Sequence, residues 1–259
     1  MHISDTEGPS ASAAEPLLLL DNVFAGYGKM TILNGVTARV RRHAITSVIG
    51  PNGAGKSTMF KTIFGLLSAR SGTITLDGRH ITNCSPRQLL DSRVAYVPQG
   101  RNIFPELSVL HNLELGGVAL SDQATLPRRL EEIMQAFPML RERASSQAST
   151  LSGGQQKMLE IARGLLLHPK LLLIDEPSIG LSPIMVREIF ALLTTLRDSG
   201  VTILMIEQNA KQALQISDYG LVLEQGRTRI EATAAEILAD PRIAQLFLGG
   251  GLAQAERGP

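Results

Sequence analysis

Ala44-Ile45-Thr46-Ser47-Val48-Ile49 runs directly into Gly50-Pro51-Asn52-Gly53-Ala54-Gly55-Lys56-Ser57, and a helix-compatible run from Thr58 to Leu67 follows. An apolar strand, a turn of the form G-x-x-x-x-G-K-[ST] and a helix together make a cradle for phosphate. The glycines let successive backbone N–H groups turn toward one anion, and the helix start adds its positive dipole end. Lys56 reaches the β and γ phosphates, and Ser57 ligates Mg²⁺. Such a pattern arises by chance in roughly 1% of chains this long, before its strand and helix are required. A glycine turn without a ligand is therefore disfavoured, and Gly50, Pro51, Asn52, Gly53, Ala54, Gly55, Lys56, Ser57 and Thr58 are the expected ATP-binding stretch.

Outward from this loop, further apolar runs suited to buried strands alternate with helical patterns. They are Leu17 to Val23, Val94 to Val97, Leu171 to Ile174, Val201 to Ile206 and Gly220 to Leu223. The alternation predicts an α/β fold, a P-loop nucleotide-binding core around a mainly parallel sheet. Val36 to Val40 and Thr73 to Leu76, the latter with its Asp77-Gly78 turn, suggest an antiparallel side sheet. From Phe104 to Ser149 the pattern turns helical, with Ser108 as a cap before Val109 to Leu115 and Pro127 opening Arg128 to Phe137. This predicts an inserted helical subdomain over about 104–165 of a domain spanning 17–248. Met1 to Pro16 and Gly249 to Pro259 are expected to be flexible tails.

Leu171-Leu172-Leu173-Ile174-Asp175-Glu176 supplies the acidic partner of the phosphate loop. A strand ending in a carboxylate places that charge at the sheet's C-terminal edge, where Asp175 can hold Mg²⁺ through its waters. Glu176 is next in line to orient and polarise an attacking water.

Leu151-Ser152-Gly153-Gly154-Gln155, followed by a helical pattern from Gln156 through Leu167, stands between the phosphate loop and the Asp175 strand. In that order the three motifs resemble the ABC ATPase family. Ser152 offers a hydroxyl, and Gly153 and Gly154 offer approachable N–H groups at a helix start, a second anion site that includes Gln155. The resemblance implies two ATPase domains packed head to tail, each ATP held between one domain's phosphate loop and the other's Ser-Gly-Gly. It also implies that Tyr27 stacks on adenine. Gln99, after Tyr96-Val97-Pro98, stands where the family senses Mg²⁺ and the attacking water. Gly180-Leu181-Ser182-Pro183 fits the inter-subunit loop, with Ser182 in place of the usual aspartate. After Val201 to Ile206 the family usually presents a histidine to the γ phosphate, whereas this chain has Gln208, which can still donate an N–H bond.

The segments Val97 to Pro105, Ile206 to Asn209 and Asp175 to Pro183 further resemble the second ATPase subunit of bacterial branched-chain amino-acid importers. That resemblance covers nearly everything from Leu17 to Leu248. It implies a different ATPase subunit as dimer partner, two transmembrane permeases and, indirectly, a periplasmic substrate-binding protein, at the cytoplasmic face of the inner membrane. Ile103 and Phe104 would lie near the groove for a permease's cytoplasmic helix. Importers of urea or short amides, lipid exporters and non-transport ABC ATPases remain alternatives, as does a subunit that binds ATP but hardly hydrolyses it.

Composition is consistent with one globular unit: 259 residues, 44% hydrophobic and 19% charged. With 25 Lys and Arg against 24 Asp and Glu, the charge is +1, so no electrostatic footprint for nucleic acid is present. The single cysteine, Cys84, permits no internal disulfide framework. No stretch approaches the ~18 to 20 apolar residues that cross a bilayer, and the N-terminus lacks the pattern of a secretory signal.

Overall fold

The computed structural model describes residues 15–120 and 122–241. The expected tails therefore lie outside the described residues, apart from Glu15 and Pro16, and so does the boundary at Leu248. Two sheets and a helical layer make up the described residues. A four-stranded antiparallel sheet takes the order β2-β1-β4-β5, from β1 (Leu18–Tyr27), β2 (Met30–Val40), β4 (Ala69–Leu76) and β5 (Arg79–His80). A six-stranded sheet takes the order β10-β9-β3-β8-β7-β6, from β3 (Ile45–Ile49), β6 (Val94–Val97), β7 (Leu171–Asp175), β8 (Thr202–Ile206), β9 (Tyr219–Glu224) and β10 (Arg227–Thr233). Only β10 is antiparallel to its neighbour there.

The pattern of Leu17 to Val23 groups it with the parallel core, but from Leu18 on it belongs to β1 of the antiparallel sheet. The reason is the connection: only Gly28 and Lys29 separate β1 from β2, with Tyr27 paired to Met30. A parallel pairing needs a crossover of a dozen or more residues, whereas a two-residue turn can only fold the chain back.

The helices are α1 (Lys56–Ile63), α2 (Pro86–Asp91), α3 (Val109–Gly116), α4 (Leu126–Ala136), α5 (Pro138–Glu142), α6 (Gly153–Leu165), α7 (Pro183–Asp198), α8 (Ala210–Ile216) and α9 (Ala234–Ala239). Ser108 caps α3 by accepting the His111 N–H at 3.1 Å, and Pro127 lies in the first turn of α4, both as the sequence suggests. α6 starts three residues earlier than its pattern indicates. Ser152 and Gln155 form a reciprocal capping box that extends the helix back to Gly153.

Every residue of β3, β7 and β8 is buried, because both faces of this sheet are covered. Leu171 and Leu173 point into a core shared with the antiparallel sheet and α1. Leu172 and Ile174 point to the other side, into a core shared with the helices between 109 and 197. Cys84 is half-buried against the first core. No helix among the described residues is long and apolar enough to cross a membrane.

Candidate functional site

β3, β8, β7 and β6 lie side by side in that order, all parallel. The chain leaves their C-terminal ends as, respectively, the phosphate loop, Glu207-Gln208, Asp175-Glu176 and Pro98-Gln99. Four motifs far apart in sequence are thereby brought to one sheet edge, where α/β sheets open a crevice. A cavity of about 480 Å³ there is lined by Tyr27, Asn52, Gly53, Gly55, Lys56, Ser57, Thr58, Gln99, Glu176 and Gln208, with Ile32 and Ile179.

The loop's shape depends on glycine at two positions. Gly50 has φ +148°, and a β-carbon on it would lie 2.0 Å from the Leu223 carbonyl oxygen. Gly55 has φ +103° immediately before α1, a left-handed entry that side chains rarely adopt. From the far side, Gly226 in the β9–β10 turn donates its N–H to the Ala54 carbonyl at 2.9 Å. Gly226 also accepts the Asn34 N–H at 2.7 Å, so the loop is tied to both sheets. Lys56 is buried and donates from Nζ to the carbonyls of Gly50 and Pro51 at 2.7 and 3.1 Å. Burial lowers its pKa, opposed by the charges of Glu176 and Asp175.

Asp175 ends β7, buried beneath the cavity. Burial raises its pKa, while the Ser57 and Tyr96 hydroxyls and the charges of Lys56 and Lys61 pull it down. The Tyr96 hydroxyl stands 3.5 Å from Oδ2, but Oδ1 is buried with no hydrogen-bond donor. An orphaned carboxylate oxygen beside a serine hydroxyl suits a hard divalent cation that takes its remaining ligands from phosphate and water. Among the described residues no cluster of three or more His, Cys, Asp and Glu could hold a metal by itself. The donor set therefore fits Mg²⁺ arriving with a nucleotide, not a resident metal cage.

Glu176 has φ +49°, a left-handed conformation uncommon for a side chain of this size. Three bonds hold it: its N–H donates to the Ile206 carbonyl at 2.9 Å, its carbonyl accepts the Ile179 N–H at 3.3 Å, and its Oε2 accepts the Gln99 side-chain amide at 2.7 Å. Burial, then the neighbouring Asp175 charge, raises its pKa; Lys56 and Gln99 lower it. Gln208 is exposed just past the end of β8, the strand beside β7. Its N–H donates to Glu207 Oε2 at 3.1 Å, and Glu207, itself buried, also accepts the N–H and hydroxyl of Ser178 at 2.9 and 2.8 Å. Glu207 thus ties the segment after Glu176 to the segment carrying Gln208. Sequence reasoning missed it and Tyr96, since each signals only by adjacency to a residue already singled out.

Ser152, Gly153, Gly154 and Gln155 do not line this cavity. They form the start of α6, and of the four only Ser152 and Gly153 are exposed. Gly154 is buried against α7, where an added β-carbon would lie 2.2 Å from the Met185 Cε and 3.0 Å from its Cβ. Gln155 uses its Oε1 to accept the Ser152 N–H at 3.0 Å. Ser182 caps α7 by accepting the Met185 N–H at 3.4 Å, a task in which serine and aspartate are interchangeable. Ile103 and Phe104 separate: Ile103 packs on the helical core, while Phe104 is 48% exposed beneath the Arg163 guanidinium.

Residues 33–179 match the ABC transporter family model. The chain is 41% identical to the high-affinity branched-chain amino acid transport ATP-binding protein BraG of Pseudomonas aeruginosa, across 90% of this chain and 100% of that protein. It is 39% identical to a probable branched-chain amino acid transport ATP-binding protein, LivF, of Archaeoglobus fulgidus, across 87% of this chain and 95% of that one. It is 32% identical to the lipopolysaccharide export system ATP-binding protein LptB of Escherichia coli, across 90% and 97%. Among solved structures, an ATP-binding cassette of an ABC transporter in its ADP conformation superimposes with a TM-score of 0.78 at 29% identity, covering 89% of this chain and 97% of that one.

Proposed function

The chain belongs to the ABC transporter family and is an ATPase, and from that membership we propose that it powers import of branched-chain, hydrophobic amino acids through membrane permeases. One observation carries the chemistry: the phosphate loop, Glu176, Gln99 and Gln208 share a cavity from which Ser152 and Gly153 are absent. ATP would lie along the loop, with Tyr27 against adenine and the backbone N–H groups of 52–58 and Lys56 on the phosphates. Ser57 and Asp175, with Gln99, would hold Mg²⁺, which neutralises charge developing on the transferred phosphoryl group. Glu176 polarises the attacking water, Gln99 fixes the carboxylate's position, and Gln208 donates to a γ-phosphate oxygen.

The exposed Ser152-Gly153 helix start suits the phosphates of a second nucleotide, which supports a head-to-tail dimer whose partner is a different ATPase subunit. Residues 17–248 then act as one ATPase domain with 104–165 as its helical arm. A groove lined by Phe64, Leu90, Leu115, Ala119 and Arg163 would receive a permease's cytoplasmic helix and so hold the chain at the membrane's inner face. The choice of cargo rests on likeness to the branched-chain relatives. The likeness to LptB favours lipid export as the second reading, and the permeases decide between them.

The test is to purify a tagged Glu176→Gln form from gently solubilised membranes with ATP and Mg²⁺, identify every chain retained, and assay leucine uptake by the wild-type assembly in vesicles. Two multispan permeases, a second ATPase and ATP-dependent leucine uptake are expected. Recovery of this chain alone, or of permeases that move lipid, would contradict the proposal.

A further inference from the structure

α6 carries the Ser152-Gly153 anion site at its start and, along one face, Lys157, Glu160 and Arg163. Lys157 and Glu160 form an ion pair whose side chains are 7% and 3% exposed. Such a pair is a poor way to stabilise a protein, since removing each charge from water costs several kcal/mol. What distinguishes this pair is where its remaining bonds go. Lys157 Nζ donates to the Gly100 carbonyl at 3.1 Å. Glu160 Oε1 accepts the Asn102 N–H at 2.5 Å, and Arg163 donates to the Asn102 carbonyl at 2.5 Å. Asn102 then turns its side-chain amide back to the carbonyls of Pro98 and Gln99 at 3.2 and 3.4 Å. The backbone just beyond Gln99 therefore hangs from three charged side chains of α6, while the Gln99 amide holds Glu176. Apolar residues of the same size could fill the space but would leave the Asn102 N–H and the Gly100 carbonyl without these bonds.

We infer that Lys157 and Glu160 are positioning residues for ATP hydrolysis: they lock the 98–102 segment to α6 so that Gln99 keeps Glu176 in place. Through them the helix that starts at Ser152-Gly153 is mechanically continuous with the site where water is activated. This rests on the assignment of Gln99 and Glu176 to that site.

A double-mutant cycle in ATP turnover tests it, using the full-length chain in the assembly that copurifies with it. Lys157→Met is expected to lower kcat about 10-fold with KM for ATP within about twofold, because a small misplacement of a catalytic group has effects of that order. Lys157→Arg, which can still donate to Gly100 and Glu160, is expected to restore most of the rate. In a Gln99→Ala background Lys157→Met should cost less than about twofold more, since the effect passes through Gln99. The double variant Lys157→Met/Glu160→Leu removes both charges together and leaves neither buried alone, so it is expected to fold and to show the same Gln99-dependent loss. Equal losses in both backgrounds would overturn the inference, as would wild-type kcat in Lys157→Met. Wild-type kcat in Lys157→Met/Glu160→Leu would do the same if Lys157→Met fails to fold. Wild-type turnover by Gln99→Ala alone would overturn the underlying assignment of Gln99, a failure distinct from one confined to Lys157 and Glu160.

Discussion

Gln99 and Glu176 leave neighbouring strands, β6 and β7, and meet in a hydrogen bond of 2.7 Å from the amide to Oε2. That bond favours the charged carboxylate, against the burial and the Asp175 charge that raise its pKa. A general base works as the carboxylate, so with Glu176 in the proposed role the rate is expected to fall as pH falls through its pKa. Gln99→Ala removes one of the influences lowering that pKa, so the acidic limb of the kcat profile should move to higher pH. Steady-state kcat between pH 4.5 and 8 checks this; a lower plateau with an unmoved limb would mean that Gln99 does not act on Glu176.

Lys56 supplies a cation to Asp175 and Glu176, and in the proposed mechanism to the phosphates. Lys56→Ala is expected to weaken ATP binding by at least about 100-fold, the scale of losing a charge-assisted phosphate contact in a half-buried site. Titration calorimetry measures it. ATP affinity near that of the wild type would remove Lys56 from the phosphate site.

Much of this site was legible in the sequence because each motif ends a strand buried on both faces, and such strands read as near-continuous apolar runs. β3, β6, β7 and β8 are recognisable for that reason. The place of β1 was not, since Leu17 to Val23 is equally apolar and only the two-residue turn after Tyr27 decides its sheet. α2 and α5, at six and five residues, are too short to establish a period. Lys157, Glu160 and Arg163 read as an ordinary polar helix face. Their partners lie 57 to 61 residues away in sequence, and no local pattern encodes such a pairing.

Gln208 stands where the family usually has histidine, and an amide does not titrate near neutrality. Gln208→Ala is expected to reduce turnover only about 2- to 5-fold if the partner subunit supplies the more active site; at a sole active site, loss of a hydrogen bond to a charged phosphate oxygen would cost about 10- to 100-fold. Gln208→His should add a pH dependence centred near about 6.5, where imidazole changes charge. Complete loss of turnover in Gln208→Ala would instead make Gln208 essential.

Gly154 packs against Met185 where α6 meets α7. Gly154→Ala is expected to destabilise the protein by about 1–3 kcal/mol through overpacking. Met185→Ala in the same chain should recover part of that loss, because the two sites touch. Denaturant unfolding of the single and double variants measures both effects; strictly additive losses would mean that the glycine is not required by that contact.

The central claim, that Glu176 activates water at an ATP site built on the phosphate loop, is tested most directly by ATP turnover and nucleotide retention in Glu176→Gln. The expected result is a fall in kcat of at least about 100-fold, the lower end of what a general base contributes, with ATP retained in a dimer that releases nucleotide slowly. Turnover at the wild-type rate would contradict the assignment.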